Sequence, residues 1–388
     1  MAHIEATTNP LPLLEALIRC PSVTPDEAGA LTLIEEVLKP FGFQCQRLPF
    51  GDVDNLFARL GSAGPHLCFA GHTDVVPPGA VEDWKYPPFA GQIMSGFLYG
   101  RGASDMKGSI AAFLAAAIDT AKAYGGDLPG SLSFLITNDE EGPAVNGTAK
   151  VLEWMRENGQ IPDHCIVGEP TCSEVPGDTI KIGRRGSISF LVVCDGVQGH
   201  VAYPQRADNP VPKLARLVHL LSTRKIDGGN EHFEPSSLQV TSFDVANPTG
   251  NVIPQRAYAR LNIRFNTSQT YESLVEWVEG MVEEVRAEMG GRFTVEPREG
   301  CEAFISDPGP FVHMVQESIQ ELTGVNPQLS TSGGTSDARF IKNYCPVLEF
   351  GPSNTTVHQV DERISIEELK TTASIYRLIV EKYFGQAQ

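Results

Sequence analysis

Strand-like apolar runs alternate with helical apolar stripes through the first part of the chain. Short apolar runs near Leu67, Phe134 and Ile166 predict strands, an alanine-rich stretch over 106–124 predicts a helix, and a further helix is predicted near Val151. Strands that alternate with helices in this way are typical of a largely parallel sheet with helices on both faces. The pattern therefore predicts an α/β fold for this part of the chain.

The first 40 residues predict two helices joined by a turn. The segment 24–27, Thr-Pro-Asp-Glu, matches a capping box with proline at the first helical position. An apolar stripe with helical spacing follows, at Leu31, Leu33, Ile34, Val37 and Leu38. We expect the second helix to begin at this capping box.

The pattern changes after Gly183. From there, apolar alternation and helical stripes follow in the order strand, helix, strand, strand, helix, strand. The predicted strands cover 187–193, 237–245, 258–265 and 293–295, and the predicted helices cover 210–221 and 271–289. This order is typical of a small open α/β sandwich with an antiparallel sheet.

After about residue 301 the first pattern returns. It consists of a helix over 310–323, a glycine-rich loop over 332–335, a strand over 347–350 and a final helix that begins at Ser365 with a second capping-box sequence. The return indicates that the last part of the chain rejoins the domain that the first part begins.

The chain of 388 residues is long enough for two domains. We predict an α/β catalytic domain with a mostly parallel central sheet, formed by residues 1–184 and 301–388. An inserted α+β open-sandwich domain over 185–300 interrupts it.

The formal net charge of −18 disfavours partners that need a basic surface, namely nucleic acid and anionic membranes. It does not exclude an anionic small-molecule substrate, because such a substrate needs only a local cationic pocket. No apolar run approaches the length that spans a bilayer. We therefore expect neither nucleic acid nor a membrane as a partner.

The eight cysteines are scattered and include no Cys-x-x-Cys pair. A disulfide framework would be denser in a small chain, and a zinc–thiolate site would be clustered. The first residues, Met1 to Ala6, lack the basic region and apolar core of a signal peptide. We therefore expect reduced thiols and a cytoplasmic location.

Acidic residues and a histidine follow directly after three of the predicted strands. His72 and Asp74 follow the first, Glu140 and Glu141 the second, and Glu169 the third. The carboxyl ends of neighbouring parallel strands meet at one edge of a sheet, and imidazole and carboxylate groups are ligands of zinc. The pattern predicts a metal site at this edge and favours a metallohydrolase.

Each of these residues also has an ordinary structural interpretation. His72 can ligate a metal while Asp74 holds its second ring nitrogen, but a histidine at a strand end can equally make loop hydrogen bonds. One carboxylate of the pair Glu140–Glu141 can bind metal while the other accepts a proton from the attacking water, yet such a pair is more often a solvated turn.

Two further candidates lie in loops. Asp105 lies in a loop with Gly100, Gly102 and Gly108, before the alanine-rich helix, and can either bridge two cations or cap that helix. His358 lies in the loop after the strand over 347–350 and can be either a second histidine ligand or an ordinary loop histidine.

Longer motifs extend this picture across the chain. They are 69–77 (Phe-Ala-Gly-His-Thr-Asp-Val-Val-Pro), 98–102 (Leu-Tyr-Gly-Arg-Gly), 167–170 (Val-Gly-Glu-Pro), 181–187 (Lys-Ile-Gly-Arg-Arg-Gly-Ser), 199–204 (Gly-His-Val-Ala-Tyr-Pro), 251–254 (Asn-Val-Ile-Pro), 333–337 (Gly-Gly-Thr-Ser-Asp) and 349–352 (Glu-Phe-Gly-Pro). These segments resemble those of the di-zinc aminoacylase and carboxypeptidase-type metallopeptidase family. The segments 184–187 and 200–204 are closer to a branch that hydrolyses N-succinyl-LL-2,6-diaminopimelate to succinate and LL-2,6-diaminopimelate, a step of lysine and diaminopimelate biosynthesis.

The resemblance implies a zinc-peptidase-like catalytic domain whose inserted domain forms a homodimer. It implies two Zn²⁺ ions per subunit, with Co²⁺ acceptable in the second site. Asp105 would bridge the two ions, His72 and Glu169 would complete one site, and Glu141 and His358 would complete the other.

The resemblance also implies roles in catalysis and substrate binding. Asp74 would orient His72, Glu140 would be the general acid and base, and His200 would reach the partner subunit's active site and stabilise the oxyanion. The residues that would hold a small dicarboxylate amide substrate are Arg184, Asn251, Arg264, Thr335 and Asn354.

Two other functions are considered beside this one. The first is a related N-acyl-amino-acid deacylase, such as an acetylornithine deacetylase, with the same metals. The second is a noncatalytic binding protein on the same scaffold, which the presence of Glu140 and of all five ligands disfavours.

Overall fold

The structure is a computed structural model that describes residues 7–385, with Glu299 described by its backbone only. The expectation about a signal peptide concerns Met1 to Ala6, which lie outside the described residues. The chain divides into two compact units. Unit 1 comprises Met1–Ile182, Ser306–Ser330 and Ser336–Gln388, and unit 2 comprises Gly183–Ile305 and Thr331–Thr335.

The α-helices within the described residues are α1 (Pro10–Ile18), α2 (Ala30–Leu38), α3 (Lys107–Ala123), α4 (Thr148–Glu157), α5 (Pro210–Thr223), α6 (Tyr271–Met289), α7 (Pro310–Thr323), α8 (Ala338–Ile341) and α9 (Ile366–Gly385). The strands are β1 (Gln44–Arg47), β2 (Leu56–Leu60), β3 (His66–His72), β4 (Gln92–Met94), β5 (Phe97–Tyr99), β6 (Ser131–Thr137), β7 (His164–Val167), β8 (Thr179–Lys181), β9 (Gly183–Arg184), β10 (Gly186–Asp195), β11 (Gly199–His200), β12 (Ser237–Asp244), β13 (Val252–Ile253), β14 (Arg256–Phe265), β15 (Arg292–Cys301), β16 (Phe304–Ile305), β17 (Gln328–Ser330), β18 (Val347–Glu349) and β19 (Arg363–Ser365).

The central sheet of unit 1 has eight strands in the order β1-β2-β6-β3-β7-β18-β8-β17. The four strands in its middle, β6, β3, β7 and β18, are mutually parallel, and β8 pairs with β17 in parallel as well. The β1–β2, β2–β6 and β8–β18 pairs are antiparallel. The prediction of a mostly parallel central sheet is therefore confirmed.

The middle of this sheet is buried on both faces. Every residue of β3 and of β6 is buried, as expected for strands that helices cover on both sides. The ring of Phe69 stacks on that of Phe113 in α3 with centroids 4.0 Å apart, and the Tyr376 ring of α9 lies edge-on to both. Helices α3 and α9 thus pack on this sheet, and the candidate ligands lie at the ends of its buried strands.

The second helix begins later than its sequence predicts. Its first residue is Ala30, and its N-cap is Gly29 in a left-handed conformation with a φ of 90°. The prediction that the helix begins with a capping box at 24–27 is therefore wrong. Glu27 nevertheless caps the helix, because its carboxylate accepts the backbone N–H of Leu31 at 3.0 Å. Thr24 and Pro25 instead form a turn that follows the bridge between Val23 and Val75, and the N–H of Thr24 donates to the carbonyl of Val75.

Unit 2 contains a four-stranded sheet in the order β12-β14-β10-β15, in which all neighbouring strands are antiparallel. Buried and half-buried residues alternate along the ten residues of β10, which is typical of a sheet with one covered face. The apolar residues of α5 and α6 form one core with that face. The predicted order of strands and helices and the open α/β sandwich are confirmed.

No helix within residues 7–385 combines the length and apolar composition that crossing a bilayer requires. The eight cysteines, all within those residues, are free thiols.

Candidate active site

The candidate ligands of unit 1 gather at the carboxyl ends of adjacent strands. His72 is the last residue of β3, Glu141 follows β6, and Glu169 follows β7. His358 lies in the loop after β18, and Asp105 lies just before α3. The sheet order places β6, β3, β7 and β18 side by side, so their following loops meet at one edge.

One group of possible metal ligands consists of His72, Asp105 and Glu169, which are all buried. The Nε2 atom of His72 lies 3.2 Å from Oδ1 of Asp105 and 3.7 Å from Oε1 of Glu169. One imidazole nitrogen and two carboxylate oxygens at these separations can surround a single cation.

A second group consists of Asp105, Glu141 and His358. The Nε2 atom of His358 lies 3.3 Å from Oδ2 of Asp105 and 2.8 Å from Oε1 of Glu141. The two groups share Asp105, which turns Oδ1 towards one and Oδ2 towards the other. Asp105 is not the N-cap of α3, because that position belongs to Met106. A carboxylate with one oxygen in each group suits a bridge between two cations.

The protonation of His72 supports this interpretation. Its Nδ1 atom lies 2.9 Å from the main-chain carbonyl oxygen of Asp74, so Nδ1 carries a hydrogen and donates it. In the neutral ring, Nε2 then carries a lone pair, and this lone pair faces the Asp105 oxygen. Nε2 of His72 and Oδ1 of Asp105 are buried and form no well-aligned hydrogen bond. A metal ion between them satisfies both atoms, so these residues fit a bound metal.

The site has a strongly negative potential. Hydrogen bonds to Asp105 and Glu141 raise the pKa of His358 to about 10. Burial by itself would lower the pKa of His72, yet the facing Asp105 and the charge of Glu140 raise it well above its usual range. The same negative charge would attract two divalent cations, and each imidazole would then bind in its neutral form.

Glu140 lies close to these two groups of candidate ligands and belongs to neither of them. Ligand atoms of His72, Glu140 and Glu141 lie within 4.8 Å of one another. Burial raises the pKa of Glu140 well above its usual range, and the negative charge of Glu169 raises it further. Because a carboxyl group in this setting holds a proton readily, it suits proton transfer.

The Asp74 side chain contacts the turn that carries the two glutamates. Its Oδ2 accepts the backbone N–H of Glu141 at 3.0 Å, and its Oδ1 lies 3.4 Å from that of Glu140. The carboxylate lies 3.7 Å from Nδ1 of His72, while the main-chain oxygen of the same residue makes the shorter contact. Asp74 thus holds His72 through its backbone and the glutamate turn through its side chain.

Two glycines that precede ligands make room for Met106. A Cβ atom at Gly71 would lie 2.4 Å from Cε of Met106. One at Gly168 would lie 2.5 Å from Cζ of Phe69, 2.7 Å from Cβ of Ser109 and 2.8 Å from Cε of Met106. Met106 is fully buried. The glycines at 71 and 168 are therefore explained by close packing of buried side chains against them, and Met106 contacts both positions. Sequence reasoning did not single out Met106.

The other predicted site residues lie in both units. In unit 2, Arg184 donates to the carbonyl of Gly334 at 3.3 Å, next to Thr335. Arg264 lies on β14 opposite Ser187 of β10. In unit 1, Asn354 is exposed and lies four residues before His358.

His200 and Asn251 lie close together in unit 2. His200 pairs with Val252 across β11 and β13, and the carbonyl of Asn251 accepts the N–H of Val201. His200 is exposed, and its Nδ1 accepts the N–H of Ala202 at 3.1 Å. That hydrogen bond uses one ring nitrogen and leaves Nε2 for other partners.

The profile of peptidase family M20/M25/M40 matches residues 68–382 of this chain. A succinyl-diaminopimelate desuccinylase from Parvibaculum lavamentivorans is 51% identical over 97% of this chain and 96% of the relative. A protein of the same name from Rhodospirillum centenum is 51% identical over 98% of each chain.

Solved structures resemble the fold. The aminopeptidase PepT from Bacillus cereus superposes with a TM-score of 0.80 at 20% identity and covers 98% of this chain and 100% of its own. A dinuclear metal binding peptidase of the M20 family from Bacillus subtilis has a TM-score of 0.74 at 17% identity, with 97% and 98% coverage. These likenesses confirm the predicted fold class.

Proposed function

Because this chain belongs to peptidase family M20/M25/M40, we propose that it uses two metal ions to hydrolyse the amide of N-succinyl-LL-2,6-diaminopimelate, which yields succinate and LL-2,6-diaminopimelate. The chain is a hydrolase that acts on an amide. The geometry that supports a two-ion site best is the position of Asp105, whose two oxygens face two separate groups of histidine and carboxylate ligands.

The residues that would hold the ions follow from these groups. His72, Asp105 and Glu169 would hold one ion, and Asp105, Glu141 and His358 the other. Imidazole and carboxylate ligands suit Zn²⁺, and we propose zinc in both places, with Co²⁺ acceptable in the second. When bound, two such ions polarise the amide carbonyl and acidify a water molecule.

Glu140 is the proposed general acid and base. Its carboxylate accepts a proton from the attacking water, and the oxygen of that water bonds to the amide carbon. The carbon–nitrogen bond then breaks, and Glu140 returns the proton to the leaving amine nitrogen. The carboxylate of Asp74 supports this transfer because it fixes the backbone of the turn that carries Glu140.

The substrate carries several carboxylates, and we propose that cationic and polar side chains recognise them. The guanidinium of an arginine pairs with a carboxylate through two hydrogen bonds. The residues proposed for this role are Arg184, Asn251, Arg264, Thr335 and Asn354. Arg184 and Thr335 adjoin the same glycine-rich loop of unit 2, which favours their joint action.

We propose that two chains form a homodimer through unit 2 and that His200 stabilises the oxyanion in the partner's active site. His200 is exposed on a short two-stranded sheet of unit 2, a position from which a side chain can reach another molecule.

The reducing cytoplasm is the proposed location, since the eight scattered thiols are free.

A substrate panel tests the proposed reaction. With zinc supplied, kcat/KM for N-succinyl-LL-2,6-diaminopimelate should exceed that for N-acetylornithine by about 10²-fold or more. N-acetylornithine lacks some of the carboxylates of the larger substrate, so the polar side chains that would bind those carboxylates are left without partners. Release of succinate and of free amine, measured separately, should be equal. A preference for acetylornithine would instead identify a related deacylase, and no amide hydrolysis at all would identify a binding protein.

Mixed dimers test the role of His200. Glu140→Gln chains and His200→Ala chains, each nearly inactive alone, should regain activity when their subunits exchange. If His200 acts across the dimer, one site of each mixed dimer carries both substitutions and the other carries neither. Size-exclusion chromatography with a tag on one variant reports the exchange. A mixture that exchanges subunits and stays inactive places His200 in its own chain's site, and a chain that stays monomeric disproves the dimer.

A further inference from the structure

A buried ion pair lies behind the group formed by Asp105, Glu141 and His358. Glu362 is fully buried, and both of its carboxylate oxygens are used. Oε1 accepts the backbone N–H of Ser104 at 2.9 Å and that of Asp105 at 3.1 Å, and Oε2 accepts a hydrogen bond from Arg101 at 2.7 Å. Glu362 thus holds the backbone of the shared ligand Asp105 directly.

Arg101 extends this contact to the other loop. Its side chain is buried beside the Trp84 ring, with the guanidinium carbon 5.2 Å from the ring centroid. Besides Glu362, the guanidinium donates to the carbonyl of His358 at 3.4 Å and to that of Gln359 at 3.2 Å. One ion pair therefore contacts the backbone of two ligands, Asp105 and His358.

His358 needs such support more than the other histidine does. The side chain of His358 is 47% exposed, whereas that of His72 is 1% exposed. His358 also has a φ of 59°, a left-handed conformation that costs a non-glycine residue free energy unless its surroundings fix it. The hydrogen bond from Arg101 to its carbonyl is one of the contacts that fix this loop.

We propose that Arg101 and Glu362 are positioning residues that set the affinity of the ion bound by Asp105, Glu141 and His358. A buried ion pair adds little net stability compared with a well-packed apolar pair, so its contribution here is to geometry. Partners behind metal ligands commonly change metal affinity by about 10–100-fold. This inference rests on the proposed two-ion site.

The substitution Arg101→Lys tests the proposal. Lysine keeps the positive charge beside Glu362 but lacks the planar fork that reaches His358 and Gln359. One of the two zinc ions should bind about 10–100-fold more weakly, and the other should keep its affinity. Competition with a chelator, read by metal analysis of the protein, gives both affinities, and kcat at limiting zinc should recover when zinc is in excess.

Glu362→Asp provides a second variant. The shorter carboxylate keeps its charge near Arg101 but withdraws from the N–H groups of Ser104 and Asp105, so it should also weaken zinc binding. Arg59→Lys is the matched control, because Arg59 lies in unit 1 and donates to Gln160 and Ser131 instead of a ligand loop. The control should keep both zinc affinities.

The outcomes separate this inference from the proposed function. If the unmodified chain binds fewer than two ions, the two-ion site itself is wrong. If it binds two ions and both variants keep both affinities, only the positioning role is wrong. If both variants lose their folded circular dichroism spectrum even in excess zinc while the control stays folded, the ion pair determines the fold instead, and the proposal is rejected.

Discussion

Glu140→Gln should lower kcat by about 10²-fold or more while two metal ions stay bound, because glutamine keeps the shape of the side chain but cannot accept the proton of water. Glu140 lies outside the group that contains His358, so its loss leaves those contacts intact. Metal analysis and steady-state kinetics on the same preparation check both parts of this result.

The neighbouring substitution is the control for this prediction. Glu141→Gln should lose metal, because Oε1 of Glu141 lies 2.8 Å from the His358 ring nitrogen in one candidate group. If Glu140→Gln strips metal and Glu141→Gln keeps it, the two glutamates have the opposite roles.

Asp105→Asn should reduce the metal content from two ions per chain to fewer than one, with a loss of kcat at least as large as that of Glu140→Gln. Asparagine has one neutral oxygen, whereas the Asp105 carboxylate turns one charged oxygen towards each group. Metal analysis after dialysis against buffer with limiting zinc measures the loss.

Asp119→Asn is the matched control, because this aspartate lies on α3 and pairs with Arg377 away from the ligands. It should retain two ions. An Asp105→Asn chain that loses a single ion and keeps the other with full affinity would contradict the bridging role.

The elements of both units could be predicted because their apolar periodicity is local. The helix over 271–289 matches α6 (Tyr271–Met289) at both ends, where Thr270 supplies the N-cap and Gly290 follows. The segment 24–27 shows the limit of such reasoning. Thr-Pro-Asp-Glu has the composition of a capping box. In the structure, however, Val23 pairs with Val75, Thr24 lies in the turn that follows, and the helix begins only at Ala30.

The ligands could be predicted because they follow strands that the apolar pattern also predicts. Glu362 could not, because its role depends on a hydrogen bond to Asp105, which lies 257 positions earlier in the chain. Asp74 was predicted as a partner of His72, but its carboxylate contacts the backbone of the glutamate turn more closely than it contacts the His72 ring. The spacing of two residues suggested the contact between Asp74 and His72. The contact between Asp74 and the glutamate turn is visible only in the folded structure.

The short pairing of β9 with β16 has a consequence for the order of folding. It joins the first and last residues of the Gly183–Ile305 segment, with Arg184 opposite Phe304 and Gly183 opposite Ile305. If that segment collapses first, the two flanking stretches of unit 1 are already neighbours, and the chain no longer has to close a loop of that whole length. Since each doubling of a flexible loop costs about 0.6 kcal/mol in closure entropy, early folding of the insertion lowers the barrier to assembling the sheet around it.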